Sequence, residues 1–234
     1  MCGSNIRQLV LANTIYAASN QNHYVLAAQD IFDDLGDGRG GRFRWHGSRE
    51  RANQPFDPAR GPLAPYIGSQ GKMKSCPTFE SMVGSTSGND FEKGNGGYGY
   101  NAQYIGGRND KYGYSPRAAA ESASTNAVAR PSETVMFTDA GIAQGNDSGG
   151  VITEYSFCEP PFWQFEPGAP STSRTWPSIH FRHLGAASVA WADGHVSWER
   201  LTFSNESYGL TADQVKGIGL GWFGPESNGL FDLK

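Results

Sequence analysis

The sequence has little charge, few cysteines and no long hydrophobic run. Charged residues make up 18% of its 234 residues, against about 25% in ordinary globular proteins. The net charge is −4, so the surplus of lysine and arginine that neutralises nucleic-acid phosphates is missing. Apolar stretches such as residues 9–12 fall far short of the ~18 residues that a membrane span needs. We therefore expect a soluble domain with no nucleic-acid partner.

Cysteine is scarce. Cys2, Cys76 and Cys158 allow at most one disulfide and leave one thiol unpaired. No Cys-x-x-Cys pair occurs, and on this ground we expect no structural zinc site of the thiolate kind. No helix start or neighbouring histidine marks any of the three as a nucleophile, so we expect no catalytic cysteine.

Glycine and aromatic residues are abundant instead. There are 31 glycines, about twice the usual share, together with six tryptophans, ten tyrosines and thirteen phenylalanines. This composition predicts a folded, loop-rich protein whose core depends on aromatic rings. No internal repeat is visible, and we expect a single domain over residues 1–234.

Hydrophobic spacing predicts one helix at residues 4–19. Its apolar face contains Ile6, Leu9, Val10 and Ala17, and the stripe is widened by Leu11, Ile15 and Ala18. Such an amphipathic helix should pack against a sheet. Residues 133–139 read as a buried strand of that sheet.

A β-hairpin is predicted at residues 186–201, around Asp193-Gly194. Asp-Gly is the preferred pair for a two-residue type I′ turn. In that register Trp191 faces Val196, and Val189 faces Trp198. These four side chains are then expected to form one buried face.

Five short segments occur in a characteristic order. They are Cys2-Gly-Ser-Asn-Ile-Arg-Gln-Leu, the pair formed by residues 61–66 and 75–77, Gly97-Tyr-Gly-Tyr-Asn, Pro131-Ser-Glu-Thr-Val, and His183 followed by Asp193-Gly194 in an H-x9-D-G pattern. Together they resemble the bacterial prepilin-type proteins that carry an H-x9-D-G signature near the C-terminus. The resemblance runs over nearly the whole chain, from residue 2 to about residue 201.

The resemblance implies an α+β fold in which a pilin-like N-terminal helix packs on a mainly antiparallel sheet with long ordered loops. It implies a non-enzymatic structural subunit of a type II secretion or type IV pilus-like assembly, outside the cytoplasm in the cell envelope. Relatives anchor in the inner membrane through a hydrophobic first half of the helix. That half is missing from this sequence, so we expect the native anchor to precede it.

The expected partners are other pilin-like subunits or copies of this chain. Ile6, Leu9 and Val10 are the expected assembly face. The resemblance also favours a disulfide between Cys2 and Cys76, which leaves Cys158 as the free thiol.

His183 and Asp193 of the signature are residue types that could together form a catalytic or metal-binding pair. A strand of six residues separates its ends by nearly 20 Å, so we expect the two residues at opposite ends of the hairpin. We interpret Asp193 and Gly194 as turn formers and His183 as a histidine that fixes the loop entering the strand. A metal site using His180 and His183 is disfavoured, because extended backbone points them to opposite faces.

Two further readings stay open. The oxygens of Asp139, Asp147 and Glu154 could ligate Ca²⁺, although no EF-hand spacing is present and no cofactor is expected. Alternatively, the protein is a cell-surface module that binds a glycan or a protein through aromatic loops. The candidate platform residues are Tyr98, Tyr100, Tyr104, Trp163 and Trp176.

Overall fold

The computed structural model describes residues 2–33, 40–51, 53–68, 74–83, 92–145 and 150–234. In these residues the fold is α+β, with five α-helices and ten short strands that pair antiparallel. The helices are α1 (Cys2–Ser19), α2 (Pro77–Val83), α3 (Asn109–Tyr112), α4 (Pro116–Ala119) and α5 (Ala212–Ile218). The strands are β1 (Phe43–Arg44), β2 (Gly47–Ser48), β3 (Tyr98–Tyr100), β4 (Val135–Asp139), β5 (Ile142–Gln144), β6 (Val151–Thr153), β7 (Ile179–His180), β8 (Ala186–Trp191), β9 (Val196–Arg200) and β10 (Leu220–Gly221).

The centre of the fold is a four-stranded sheet in the order β3-β4-β8-β9. Helix α1 packs on this sheet and buries Ile6, Leu9, Val10 and Ala17. Burial of a large aliphatic side chain contributes about 1.5–3 kcal/mol, so this contact is a main source of stability. The predicted helix is confirmed, although it begins at Cys2, and the strand predicted at residues 133–139 is found at Val135–Asp139.

The apolar stripe of α1 is narrower than its sequence suggests. Leu11 is 58% exposed and Ile15 is 43% exposed, and Ala18 also faces solvent. Conversely, Ile6, Leu9 and Val10 are at most 1% exposed. The prediction that these three form an assembly face is therefore wrong, because the sheet of the same domain already covers them.

The hairpin exists, but its predicted register is wrong by one residue. Val189 faces Ser197, and Trp198 faces Ser188. The loop has three residues, 192–194, closed by Trp191 N–H donating to His195 O at 3.1 Å. Gly194 has a φ of +93°, whereas Asp193 has no positive φ, so the loop is a type I turn followed by a left-handed glycine. Trp198 consequently lies 56% exposed on the edge strand β9.

The aromatic residues fill the core, as the composition predicts. Trp45, Tyr100 and Phe137 form one contact group, with Tyr100 and Phe137 stacked at 4.6 Å. Loops are tied to this core by buried polar groups: Trp45 Nε1 donates to Ser156 O at 2.7 Å, and Asn101 Nδ2 donates to Val135 O at 2.9 Å. Within the described residues, no helix combines the length and the apolar character needed to cross a membrane.

Candidate functional site

Segments far apart in the chain meet beside the N-terminal end of α1. Cys2 opens that helix, Cys76 directly precedes α2, and Asp139 ends β4. Arg182 and His183 lie in the connection between β7 and β8. We call these five residues the thiol–imidazole centre.

The Asp139 carboxylate contacts both cationic side chains of this centre. Its buried carboxylate accepts hydrogen bonds from Arg182 Nη2 at 2.6 Å and from Ser188 N at 2.7 Å, and His183 Nε2 lies 3.2 Å away. Burial alone would raise the pKa of this carboxyl. The Arg182 charge and the two further hydrogen bonds outweigh burial, so the pKa lies below its ordinary value.

His183 uses a single ring nitrogen for both of its acidic neighbours. Nε2 faces Asp139 Oδ2 at 3.2 Å and Cys76 Sγ at 3.7 Å. These two partners raise the pKa of His183 to about 9. In a proton relay of the Cys-His-Asp type, one ring nitrogen contacts the thiol and the other contacts the carboxylate. Here Nε2 contacts both groups, so the arrangement is not such a relay. The His183 and Trp198 rings are nearly perpendicular, with their centroids 5.3 Å apart.

The two thiols of the centre have unlike surroundings. Burial opposes ionisation of Cys76, but His183 and Arg182 outweigh it and lower its pKa to about 6. Burial and the neighbouring Cys76 raise the pKa of Cys2 to about 12. The two Sγ atoms are only 2.7 Å apart. Cys158 is buried elsewhere, and burial raises its pKa.

The ligand atoms of Cys2, Cys76 and His183 all lie within 4.8 Å of one another, which is close enough to surround a metal ion. The sequence argument against a thiolate metal site does not address this group. It considered only closely spaced cysteines, whereas these ligands come from three distant segments.

His183 and Asp193, the two polar residues of the H-x9-D-G pattern, do not contact each other. His183 and Asp193 lie at opposite ends of β8, as predicted from the hairpin. Asp193 Oδ1 accepts from His195 N at 3.0 Å and lies 2.6 Å from His195 Nδ1, which stabilises the turn that contains Gly194. His183 instead fixes the entry to β8 through Asp139.

The residues considered for Ca²⁺ do not come together in the described part of the chain. Asp139 is occupied by Arg182 and His183. The Glu154 carboxylate accepts from Gly94 N at 2.9 Å and Gly96 N at 3.2 Å. Asp147 lies outside the described residues. His180 also has its own surroundings, with Nδ1 3.4 Å from Arg182 Nη1.

The five candidate platform residues divide into two groups. Tyr98, Tyr100 and Tyr104 are at most 2% exposed, and their hydroxyls bond to buried amides, so they belong to the core and not to a platform. Trp163 and Trp176, in contrast, line a cavity of about 430 Å³. The centroids of their rings are 5.8 Å apart, and the ring planes cross at 89°.

Other cavity residues were missed by the sequence analysis. Tyr114 and Tyr208 extend the aromatic wall, and Glu154 and Glu159 contribute carboxyl groups. Tyr114 lies ten residues after Tyr104, in the same tyrosine-rich stretch of the sequence. Nothing local marks Tyr208 or Glu159, because only the tertiary fold brings them beside Trp176.

Comparisons with known proteins give no match: no family model, no curated protein and no solved structure matches this chain. The resemblance to prepilin-type proteins therefore rests on the motifs quoted above.

The His183–Asp139 contact predicts a pH dependence of stability. The folded pKa of about 9 lies above the ordinary value of 6.5, so the protonated imidazole favours the folded state. Its contribution is fully present below pH 6.5 and is lost as the pH rises through about 9. Urea midpoints of the unreduced protein, in which the expected Cys2–Cys76 disulfide removes the opposing titration of the Cys76 thiol, should fall more steeply with rising pH for the wild type than for His183→Gln. Parallel curves would contradict the prediction.

Proposed function

We propose that this chain is the extracytoplasmic domain of a pilin-like structural subunit, which assembles with copies of itself or with other pilin-like subunits through α1. The role is non-enzymatic. The proposal is supported by the position of α1 along an antiparallel sheet, together with the contacts between the segments that carry the prepilin-type resemblance.

The main support for the proposal is that the segments carrying the resemblance hold α1 against the rest of the domain. Asn5, in the first of them, donates to the Tyr98 hydroxyl at 3.1 Å. It also donates to Lys74 O at 3.2 Å and Ser75 O at 3.4 Å. Cys2 meets Cys76 on the same side of the helix. Residues of the resembling segments thus hold one face of α1 on the body of the domain.

The opposite face of α1 is left uncovered by the described part of the chain, so it is available to another subunit. Leu11 and Ile15 are four residues apart, so they lie on one side of the helix, and they are 58% and 43% exposed. Arg7, Gln8 and Thr14 on the exposed surface are polar. This pair replaces Ile6, Leu9 and Val10 as the proposed assembly face.

Site-specific crosslinking in cells tests the proposal. The native protein, produced together with its own assembly genes, would carry Leu11→Cys or Ile15→Cys and be treated with a bis-maleimide. Since Cys2, Cys76 and Cys158 are buried, only the introduced thiol should react. We expect a crosslinked dimer, since each subunit offers one reactive thiol and each reagent joins two thiols.

Phe43→Cys is the matched control, because Phe43 is 47% exposed but lies in the β1–β2 hairpin and outside α1. Crosslinks at the helix positions without crosslinks at Phe43 support the proposal. Equal crosslinking at all three positions, or none at the helix positions, would overturn it.

A further inference from the structure

The cavity next to Trp163 and Trp176 has an aromatic wall that the assembly role does not use. Four aromatic rings lie side by side along this wall. The ring centroids are 5.7 Å apart for Tyr114 and Trp163, 5.8 Å for Trp163 and Trp176, and 4.7 Å for Trp176 and Tyr208. Tyr114, Trp176 and Tyr208 are between 38% and 47% exposed. Large aromatic side chains that contact one another and still face open space are typical of a binding site.

The rings present their faces in several directions. Trp163 and Trp176 cross at 89°, Tyr114 is inclined at 60° to Trp163, and Tyr208 stacks on Trp176 at 26°. A sugar ring stacks best on one open, flat face, whereas a compact cation can contact several inclined rings at once. The faces of such rings carry negative electrostatic potential and attract cations.

The charge of the residues that line the cavity also favours a cation. Among the described residues that line it there are three glutamates and no lysine, arginine or histidine. Glu92 is already neutralised by the buried Arg44 at 2.8 Å. This composition disfavours an anionic ligand.

Among the described residues, Glu159 has no positive partner of this kind. Its side chain is buried, and its carboxylate accepts hydrogen bonds from Gln103 Nε2 at 2.9 Å and Tyr155 Oη at 2.9 Å, both neutral groups. Burial raises the pKa of Glu159, and it also raises that of Glu154, because ionisation is costly away from water. A cation placed in the cavity would offset that cost.

We infer that this cavity binds a small organic ammonium ion, held by the Trp163, Trp176, Tyr114 and Tyr208 rings and by the carboxylate of Glu159. The volume of about 430 Å³ lies within the range of small-molecule sites. This inference goes beyond the proposed assembly role, since the cavity and the exposed side of α1 share no residue.

Calorimetric titration of the full chain with choline tests the inference. The neutral carbon isostere 3,3-dimethylbutan-1-ol provides the charge control, and glucose is the sugar control. We expect saturable choline binding, at least about tenfold weaker binding of the isostere, and none of glucose. Equal binding of choline and its isostere, binding of glucose alone, or no saturable binding of choline would each overturn the inference.

Two variants locate the site. Trp176→Ala should weaken choline binding about tenfold or more, because it removes one wall of the cavity. Glu159→Gln should weaken it as well, since it removes the charge and keeps the shape. Trp198→Ala is the matched control, because Trp198 is 56% exposed and does not line the cavity. An unchanged affinity in Trp176→Ala, with wild-type thermal unfolding, would place the ligand elsewhere.

Discussion

Replacing Asp139 with asparagine is expected to lower the free energy of unfolding by about 3–5 kcal/mol. The side chains of Asp139 and Arg182 are both 0% exposed, and they are 2.6 Å apart. Without the carboxylate, the Arg182 charge remains buried and uncompensated. Its hydrogen bonds to Gly97 O at 2.6 Å and Ala140 O at 3.1 Å keep it in place but do not neutralise it. Urea unfolding of both proteins measures the difference.

A second ion pair provides the control for this prediction. Arg130 and Glu133 are also close, at 2.9 Å, but their side chains are 52% and 58% exposed. Exposed pairs contribute about 0–1 kcal/mol, so Glu133→Gln should change little. The double variant Asp139→Asn/Arg182→Met should recover part of the loss, because it removes both charges. A loss below about 1 kcal/mol for Asp139→Asn would show that the buried pair is not required.

Reduction of the protein is expected to lower the free energy of unfolding by roughly 4 kcal/mol, because we expect Cys2 and Cys76 to form a disulfide. The two sulfurs face each other in the interior, and the residues are 74 positions apart. Crosslinking a loop of this length restricts the unfolded chain by roughly that amount. An oxidising compartment, as in the proposed extracytoplasmic location, allows such a bond to persist.

Thiol counting and unfolding together measure this effect. The denatured, unreduced protein should expose a single reactive thiol, Cys158, and the reduced protein should expose all three. Cys158→Ser should respond to reductant like the wild type, whereas Cys2→Ser/Cys76→Ser should not respond. Three reactive thiols before reduction would contradict the disulfide. So would zinc that co-purifies with the protein and is released by thiol modification, since it would show a metal at Cys2, Cys76 and His183.

Local features of the sequence were enough to predict several elements. The spacing of Ile6, Leu9 and Val10 predicts α1 and its buried side, because helical periodicity places them on one face. The hairpin at β8 and β9 follows from alternating apolar residues on both sides of Asp193-Gly194. Its register does not follow, because a two-residue and a three-residue loop suit the same Asp-Gly pair. That difference of one residue moves Trp198 from the expected core to the surface.

The sites depended on contacts that no local pattern contains. Cys2, Cys76 and His183 meet only because α1, the start of α2 and the entry to β8 converge on Asp139. The same holds for the cavity, where Trp163 and Trp176 come from the connection between β6 and β7 and Tyr208 comes from the connection between β9 and α5. Tyr98, Tyr100 and Tyr104 have the same residue type and glycine-rich context as a surface platform, yet they are buried.

The amino-acid sequence by itself thus determined the helix α1, the strands β4, β8 and β9 and the aromatic character of the core, because these follow from periodicity and composition over a few residues. Only the tertiary structure decided which side of α1 is free, how β8 and β9 align, and which thiols and rings face each other. These outcomes depend on the packing of segments distant in the chain. Burial of Ile6, Leu9 and Val10 against the sheet leaves Leu11 and Ile15 exposed, and it brings Cys2 to Cys76.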